Sequence, residues 1–149
     1  MKFIDEIKAR AKQDVKTIVL PESRDKRTLI AAAQVLKEGT AKIVMVGDEE
    51  KIRDGAHWLD VELDGISVVN PETSPKLDEY VNLLYELRKK KGMTLESARE
   101  QLLNNYIMFG VMMVKCKDAD GMVAGCCHAT ADVLRPSLQI LKTAPGTEL

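Results

Sequence analysis

The sequence predicts an α/β fold, in which a mainly parallel sheet carries helices on both faces. Three short apolar runs, residues 17–20, 43–46 and 65–70, are each bounded by turn-forming residues, as is typical of buried strands. Stretches with apolar residues at helical spacing lie between and after these runs. Strands that alternate with helices over connections of this length form parallel sheets through right-handed crossovers.

The first half of the chain justifies this prediction element by element. A first helix is predicted over residues 1–13, and the strand that follows it is stopped by Pro21. Apolar residues at helical spacing then run to Gly39, which supplies a C-terminal stop. After the second strand, acidic residues 48–50 open another helix. The stretch around His57 and Trp58 remains unassigned.

The second half contains mainly helical patterns. The predicted elements are a helix capped by Ser74 with Pro75 at its first position, a helix opened by Thr94, an apolar helix over residues 106–114, a short strand over residues 122–125, and a last helix capped by Thr130 and started or kinked by Pro136.

Charge and hydropathy exclude several classes of protein. Lys and Arg number 22 against 23 Asp and Glu, so the net charge of −1 gives no basic field for nucleic acid or a membrane surface. The longest apolar stretch, residues 106–114, is far shorter than the roughly 20 residues of a spanning helix. Acidic residues near the N-terminus are unlike an export signal. We therefore expect no membrane segment and a cytoplasmic protein.

The three cysteines fit a reducing compartment. Cys116, Cys126 and Cys127 form an odd set in which two members are adjacent and poorly placed to pair. The chain contains neither C-x-x-C nor a ladder of Cys and His ligands, so spacing predicts no metal site.

Residues 120–136 are the first candidate for a functional site, because they join a glycine-bounded strand to a helix N-terminus. Helix N-termini beyond the carboxyl ends of parallel strands favour anions such as phosphate. Thr130 could donate its hydroxyl there, and Arg135 could add a bidentate guanidinium. The alternative is that Thr130 only caps the helix while Arg135 forms a surface ion pair.

For the other candidate residues, a structural role is an alternative to a functional one. A cysteine next to His128 suggests a thiolate nucleophile, but sequence adjacency does not bring imidazole and thiol together, so structural cysteines are favoured. His128 could carry a proton or hold a turn by a hydrogen bond. Residues 21–25 follow the first strand where a site loop would lie, yet an exposed charge cluster is favoured there. The usual nucleotide fingerprints are absent.

Several segments resemble one family of enzymes. These are Ala-Asp-Gly-Met-Val-Ala-Gly at 119–125, His-Ala-Thr-Ala-Asp-Val-Leu-Arg-Pro at 128–136, residues 139–146, Ile-Val-Leu-Pro-Glu at 18–22 and residues 87–94. Together they closely resemble phosphate acetyltransferases, and the resemblance runs through the whole chain. It implies the first domain of the phosphate acetyl/butyryltransferase type, similar to the fold of isocitrate and isopropylmalate dehydrogenases.

The resemblance also implies an activity and a set of site residues. The family exchanges an acetyl group between coenzyme A and phosphate in a cleft between two domains, with acetyl-CoA as substrate and no separate cofactor. By motif, Thr130 and Arg135 would contact phosphate, and Arg88 would be a second arginine near the cleft. The family's serine and its aspartate base are expected beyond Leu149, so no catalytic residue is assigned within this chain.

The same resemblance predicts that residues 1–149 are a truncated N-terminal domain. Such a domain is expected to be inactive alone and to associate as a homodimer or larger species through the surface that a second domain would cover. Two alternatives remain open: a noncatalytic binding domain on the same scaffold, and a phosphate butyryltransferase. Cys126 and Cys127 depart from the small residues usual in the family, and a packing role is expected for them.

Overall fold

The computed structural model describes residues 2–148, and they form one four-stranded parallel sheet flanked by helices. The strands lie in the order β3-β2-β1-β4, which confirms the predicted α/β class with a parallel sheet. The elements in chain order are α1 (Lys2–Gln13), β1 (Lys16–Leu20), α2 (Lys26–Glu38), β2 (Ala41–Val46), α3 (Glu49–Trp58), β3 (Ser67–Val69), α4 (Leu77–Arg88), α5 (Leu95–Asn104), α6 (Tyr106–Lys115), β4 (Gly121–Met122) and α7 (Thr130–Ile140).

The two faces of the sheet carry separate apolar cores. Along β2, Val44 and Val46 join one core, whereas Ile43 and Met45 join the other, because successive side chains of a strand point to opposite faces. Helices α2 and α3 cover the face of Ile43 and Met45, and α4, α5, α6 and α7 contribute to the core on the other face. Residues 18–20 of β1 and 43–46 of β2 are therefore apolar throughout, as is typical of parallel strands covered on both faces.

Helix α6 lies deepest in the larger core. Seven of its ten residues are buried, and Phe109 packs edge-on against Tyr80 of α4 with ring centroids 5.2 Å apart. The all-round apolar pattern of residues 106–114 thus predicted the buried helix correctly. Gly110 lets α6 approach the sheet closely, since a Cβ atom there would lie 2.8 Å from Met122 Sδ and 3.1 Å from Val19 Cγ1.

Substituting Gly110 with valine is expected to lower the free energy of unfolding by about 1–3 kcal/mol, because the branched side chain overpacks the contact between α6 and β1. Urea unfolding of the purified chain measures this loss. Ala31→Val places the same valine side chain at an exposed position of α2, where only helix propensity changes and the cost stays below about 1 kcal/mol. Equal losses in the two variants would show that the close approach of α6 to the sheet does not contribute to stability.

Some helix boundaries differ from the prediction, and one stretch without a prediction is now assigned. The unassigned stretch around His57 and Trp58 is the end of α3. Helix α4 begins at Leu77 rather than at Pro75, and the Ser74 hydroxyl accepts a hydrogen bond from the Lys76 amide in a turn before it. Met1, predicted to open the first helix, lies outside the described residues.

The end of the chain also differs from the prediction in its details. Strand β4 has only two residues, and residues 123–129 form a loop where a strand to residue 125 was expected. Thr130 is the first residue of α7, and the residue that precedes the helix, Ala129, offers no side-chain cap. Pro136 lies inside α7.

Within residues 2–148, no helix combines the length and the apolar character needed to cross a bilayer.

Candidate anion-binding cleft

Loops from three strands meet at the carboxyl edge of the sheet and line an open cleft of about 630 Å³. Residues 21–24 follow β1, Glu72 lies in the loop after β3, and Cys127 and His128 lie in the loop after β4. The junction between α5 and α6, residues 103–107, forms another wall, and Asp132 and Arg135 of α7 complete the lining. This is the edge at which open α/β sheets bind their ligands.

Glu22 anchors the loop after β4. Its side chain is 2% exposed, although a carboxylate leaves water only when hydrogen bonds replace its hydration. Oε1 accepts hydrogen bonds from the backbone amides of Gly125 (2.5 Å) and Cys126 (3.0 Å), and Oε2 accepts one from the amide of Cys127 (2.8 Å). Gly125 adopts φ +118°, a conformation that other residues reach only with strain, so glycine permits this turn around the carboxylate.

Two side chains also donate to Glu22. The Cys127 thiol lies 3.0 Å from Oε2, and Nδ1 of His128 lies 2.7 Å from the same oxygen. Burial raises the pKa of the Glu22 carboxyl, but the hydrogen bonds from His128, Cys127 and the backbone outweigh burial and hold that pKa far below its usual value. Glu22 is therefore an ionised acceptor at neutral pH.

The expectation that residues 21–25 form an exposed charge cluster is wrong for Glu22 and Ser23, which are both buried. Ser23 Oγ donates to the carbonyl oxygen of Val46 at 2.7 Å and so joins the ends of β1 and β2. The partners of Glu22 lie 103 to 106 residues away in the sequence, so no local pattern could reveal them. The available signal was the position of Glu22 directly after a buried strand.

His128 faces the cleft with a defined ring orientation. Because Glu22 can only accept, Nδ1 of His128 is the donor, and Nε2 is left for a ligand or water. The side chain is 42% exposed and lines the cleft. The structure thus brings His128 and Cys127 together at 3.6 Å (Nδ1 to Sγ), in contrast to the expectation that their adjacency would separate them.

The two neighbouring cysteines are exposed, so the expected packing role is wrong for them. The hydrogen bond to Glu22 and burial raise the pKa of the Cys127 thiol to about 12, which keeps it protonated and makes it a poor nucleophile at neutral pH. The Sγ atoms of Cys126 and Cys127 and a carboxylate oxygen of Glu22 lie within 4.8 Å of one another. These three groups are the candidates for holding a metal ion.

Two arginine residues supply positive charge to the lining of the cleft. Arg135 is exposed, lines the cleft from α7, and forms no ion pair with any carboxylate of residues 2–148. Arg24, which the sequence did not single out, also lines the cleft and stacks over the Tyr106 ring at 5.6 Å from its centroid. In the sequence, the only signal for Arg24 was its position two residues after Glu22.

The N-terminus of α6 points into the same space. Asn105 caps this helix through its side chain, which accepts from the amide of Met108 at 3.1 Å, and Tyr106 and Ile107 line the cleft. The partial positive charge of a helix N-terminus adds to that of the two arginines. These positive groups favour an anion, whereas Glu72 and Asp132 bring negative charge to the same lining.

Two of the predicted site residues lie outside this lining. Thr130 is exposed in the first turn of α7, beyond the residues that line the cleft. Arg88 is half-buried at the last position of α4 and does not line the cleft either. Their roles, like those of Arg135 and His128, remain predictions.

An open parallel α/β sheet with a polar, arginine-bearing cleft at its carboxyl edge is the architecture in which α/β domains place a ligand site. The family model described as phosphate acetyl/butaryl transferase matches residues 2–149. The chain belongs to this family, as its motifs suggested.

Relatives and solved structures agree with this assignment. The chain is 54% identical over 149 residues to the phosphate acetyltransferase of Acetivibrio thermocellus and 46% identical to that of Clostridium acetobutylicum, covering all of this chain and 44% of each relative. A phosphotransacetylase structure from Streptococcus pyogenes matches with a TM-score of 0.93 at 35% identity, and the EutD phosphotransacetylase from Staphylococcus aureus with 0.89 at 39%. Both matches cover 99% of this chain and 44% of the solved chain.

The chain therefore spans less than half the length of these relatives. The relatives named here are acetyltransferases or phosphotransacetylases, so neither a phosphate butyryltransferase nor a noncatalytic domain is favoured.

Proposed function

We propose that this chain forms part of a phosphate acetyltransferase and supplies one wall of its active-site cleft. In this reaction an oxygen of phosphate attacks the carbonyl carbon of acetyl-CoA, the carbon–sulfur bond breaks, and acetyl phosphate and the coenzyme A thiolate are formed. The observation that carries the proposal is Arg135, which is exposed in the cleft and free of carboxylate partners among residues 2–148. An arginine of this kind is suited to bidentate contact with phosphate.

The proposed division of labour follows from chemistry at each position. Arg135 holds phosphate and acetyl phosphate, and Arg24 with the N-terminus of α6 adds positive potential in the same cleft. His128 offers Nε2 toward the cleft while Glu22 fixes its ring. Thr130 and Arg88 do not line the cleft itself. Any contact that they make to the anionic parts of the substrates is therefore proposed to lie farther from the cleft.

The base and serine of the family mechanism are proposed to come from the part of the relatives that this chain does not span. A general base typically contributes 10²–10⁴-fold, and groups that stabilise the developing oxyanion contribute comparable factors. The 149-residue chain alone is therefore expected to form no acetyl phosphate above the rate of a heat-denatured control.

A chimera tests both statements. Residues 1–149 are joined to the remaining portion of the Acetivibrio thermocellus phosphate acetyltransferase, which is 54% identical over this segment. The chimera is expected to convert acetyl-CoA and phosphate to acetyl phosphate, measured by release of the coenzyme A thiol, while the chain alone stays silent. A folded chimera without activity would refute the proposed function. Activity of the chain alone would show that its own residues include a base, for which His128 is the first candidate.

We also propose that the chain self-associates and resides in the cytoplasm. Val123, Leu134 and Leu138 are exposed on the loop after β4 and on α7, and such an apolar surface favours association into dimers or larger species. Sedimentation velocity over a range of concentrations measures it, and a monomer at all concentrations would refute it. Three cysteines without a disulfide support a reducing compartment such as the cytoplasm.

A further inference from the structure

Four donor groups of the kind that bind transition metals converge beside the cleft. Sγ of Cys126, Sγ of Cys127 and a carboxylate oxygen of Glu22 lie within 4.8 Å of one another. Nδ1 of His128 lies 2.7 Å from Glu22 Oε2 and 3.6 Å from Cys127 Sγ. Sequence spacing predicts no metal site here because the carboxylate that completes the group is more than 100 residues away from the others in the chain.

Some of these separations are close to those of a tetrahedral zinc site, whereas His128 lies outside the group whose ligand atoms are all within 4.8 Å of one another and would have to move toward Cys126. Bonds of 2.3 Å to sulfur and about 2.0 Å to nitrogen and oxygen place the ligand atoms about 3.3–3.8 Å apart. The distance of 3.0 Å from Cys127 Sγ to Glu22 Oε2 and that of 3.6 Å from the same sulfur to His128 Nδ1 need only small changes. Cys126 Sγ would exchange its contact of 3.2 Å with Thr28 Oγ1 for the metal.

The loop does not have to unfold to admit a cation. Oε1 of Glu22 holds the amides of Gly125 and Cys126, and these bonds can persist. Oε2 accepts two hydrogen bonds from side chains, one from the Cys127 thiol and one from His128 Nδ1. Binding of a divalent cation releases the thiol protons of Cys126 and Cys127 and moves the His128 proton from Nδ1 to Nε2, so that two thiolates, the Glu22 carboxylate and a neutral imidazole surround the +2 charge.

We propose that Glu22, Cys126 and Cys127, with His128 as a fourth ligand, form a binding site for a thiophilic divalent cation of the Zn²⁺ or Cd²⁺ type. Two sulfur donors select these ions over Mg²⁺, which prefers oxygen ligands in octahedral geometry. The bound ion lies in the cleft wall that carries Cys127 and His128. The proposal does not depend on acetyl transfer, because it rests on the donor set alone.

Metal binding by the reduced 149-residue chain tests the site without reference to activity. Cd²⁺ is titrated into the protein while the ultraviolet charge-transfer absorption of cadmium–thiolate bonds is recorded, and Zn²⁺ affinity is measured by equilibrium dialysis. Wild-type protein is expected to bind one cation per chain, to show the thiolate absorption, and to unfold at a higher temperature with Zn²⁺ present. Mg²⁺ at the same concentration is expected to have no effect.

Matched cysteine variants locate the site. Cys127→Ser and Cys126→Ser keep a small hydroxyl in each place, so they preserve the fold, and each is expected to weaken Zn²⁺ binding by at least about tenfold. Cys116→Ser changes the remaining cysteine, which is half-buried at the end of α6, and is expected to leave binding unchanged. Absence of binding by the wild type, or equal binding by wild type, Cys126→Ser and Cys127→Ser, would overturn the proposal.

Discussion

Replacing Glu22 with alanine is expected to destabilise the fold by about 2–4 kcal/mol and to release the loop after β4. The substitution removes the acceptor of three backbone amides, one thiol and one imidazole, and it empties a buried position beside β1. Urea unfolding measures the stability. Hydrogen exchange at the amides of Gly125, Cys126 and Cys127 reports on the loop, and their protection is expected to be lost.

Glu62→Ala is the matched control, because Glu62 is exposed in a loop and its removal should change stability by no more than about 0.5 kcal/mol. Glu22→Gln separates charge from shape, since an amide keeps one acceptor but turns its NH₂ group toward donors. Unchanged amide protection in Glu22→Ala would contradict the anchoring role.

The same residue links stability to pH. The folded-state pKa of Glu22 lies below the ordinary carboxyl value of 4.5, so its contribution is fully present above that value and is lost as the pH falls through the folded-state pKa. A plot of unfolding free energy against pH is therefore expected to fall less steeply below about pH 4.5 in Glu22→Gln than in the wild type.

Replacing Arg135 with alanine is expected to reduce kcat/KM for phosphate by about 10²–10³ in the chimera with full-length architecture, because a positioned charge that stabilises developing negative charge contributes this much. Arg135→Lys is expected to recover only part of the loss, since an ammonium cannot form the bidentate contact. Stability should stay close to that of the wild type because the side chain is exposed.

Arg53→Ala is the corresponding control for the loss of one positive charge. Arg53 lies on α3, pairs with Glu49 at 2.7 Å and takes no part in the cleft. Its removal should leave kcat/KM unchanged. If Arg135→Ala and Arg53→Ala behaved alike, the effect would be one of net charge and the assignment of Arg135 to phosphate would fail.

The sequence predicted β1, β2 and β3 well because each contains a local apolar run whose interpretation does not depend on distant residues. The runs at β1 and β2 are buried on both faces, and the helices between them carry ordinary stop signals such as Gly39, which adopts the left-handed conformation at the end of α2. Predictions of helix caps were weaker. Ser74 and Thr130 both have the right chemistry, yet backbone geometry placed the helix starts elsewhere.

Only the part of the candidate site near α7 could be predicted from the sequence. Residues 120–136 attracted attention because a glycine-bounded strand leads there into a helix start that carries Thr130 and Arg135. Glu22 was misjudged as exposed because burial of a carboxylate depends on donors that the fold brings from more than 100 residues away. Arg24 and the N-terminus of α6 were missed for the same reason, since each gains its place in the cleft from tertiary structure alone.

The pairing of the first strand with the last one has a consequence for how the molecule folds. Ile18 lies opposite Gly121, and the Glu22 carboxylate meets amides 103 to 105 residues later, whereas β1, β2 and β3 are joined through much shorter connections. Contacts across long loops are slow to form because closing the loop costs entropy before any contact stabilises it. The sheet from β1 to β3 can therefore form early during synthesis, while the cleft assembles only after residue 128 has left the ribosome. Until then Glu22 carries its charge in water at an unfinished edge, and docking of its distant partners is the step that converts a folded scaffold into a binding site.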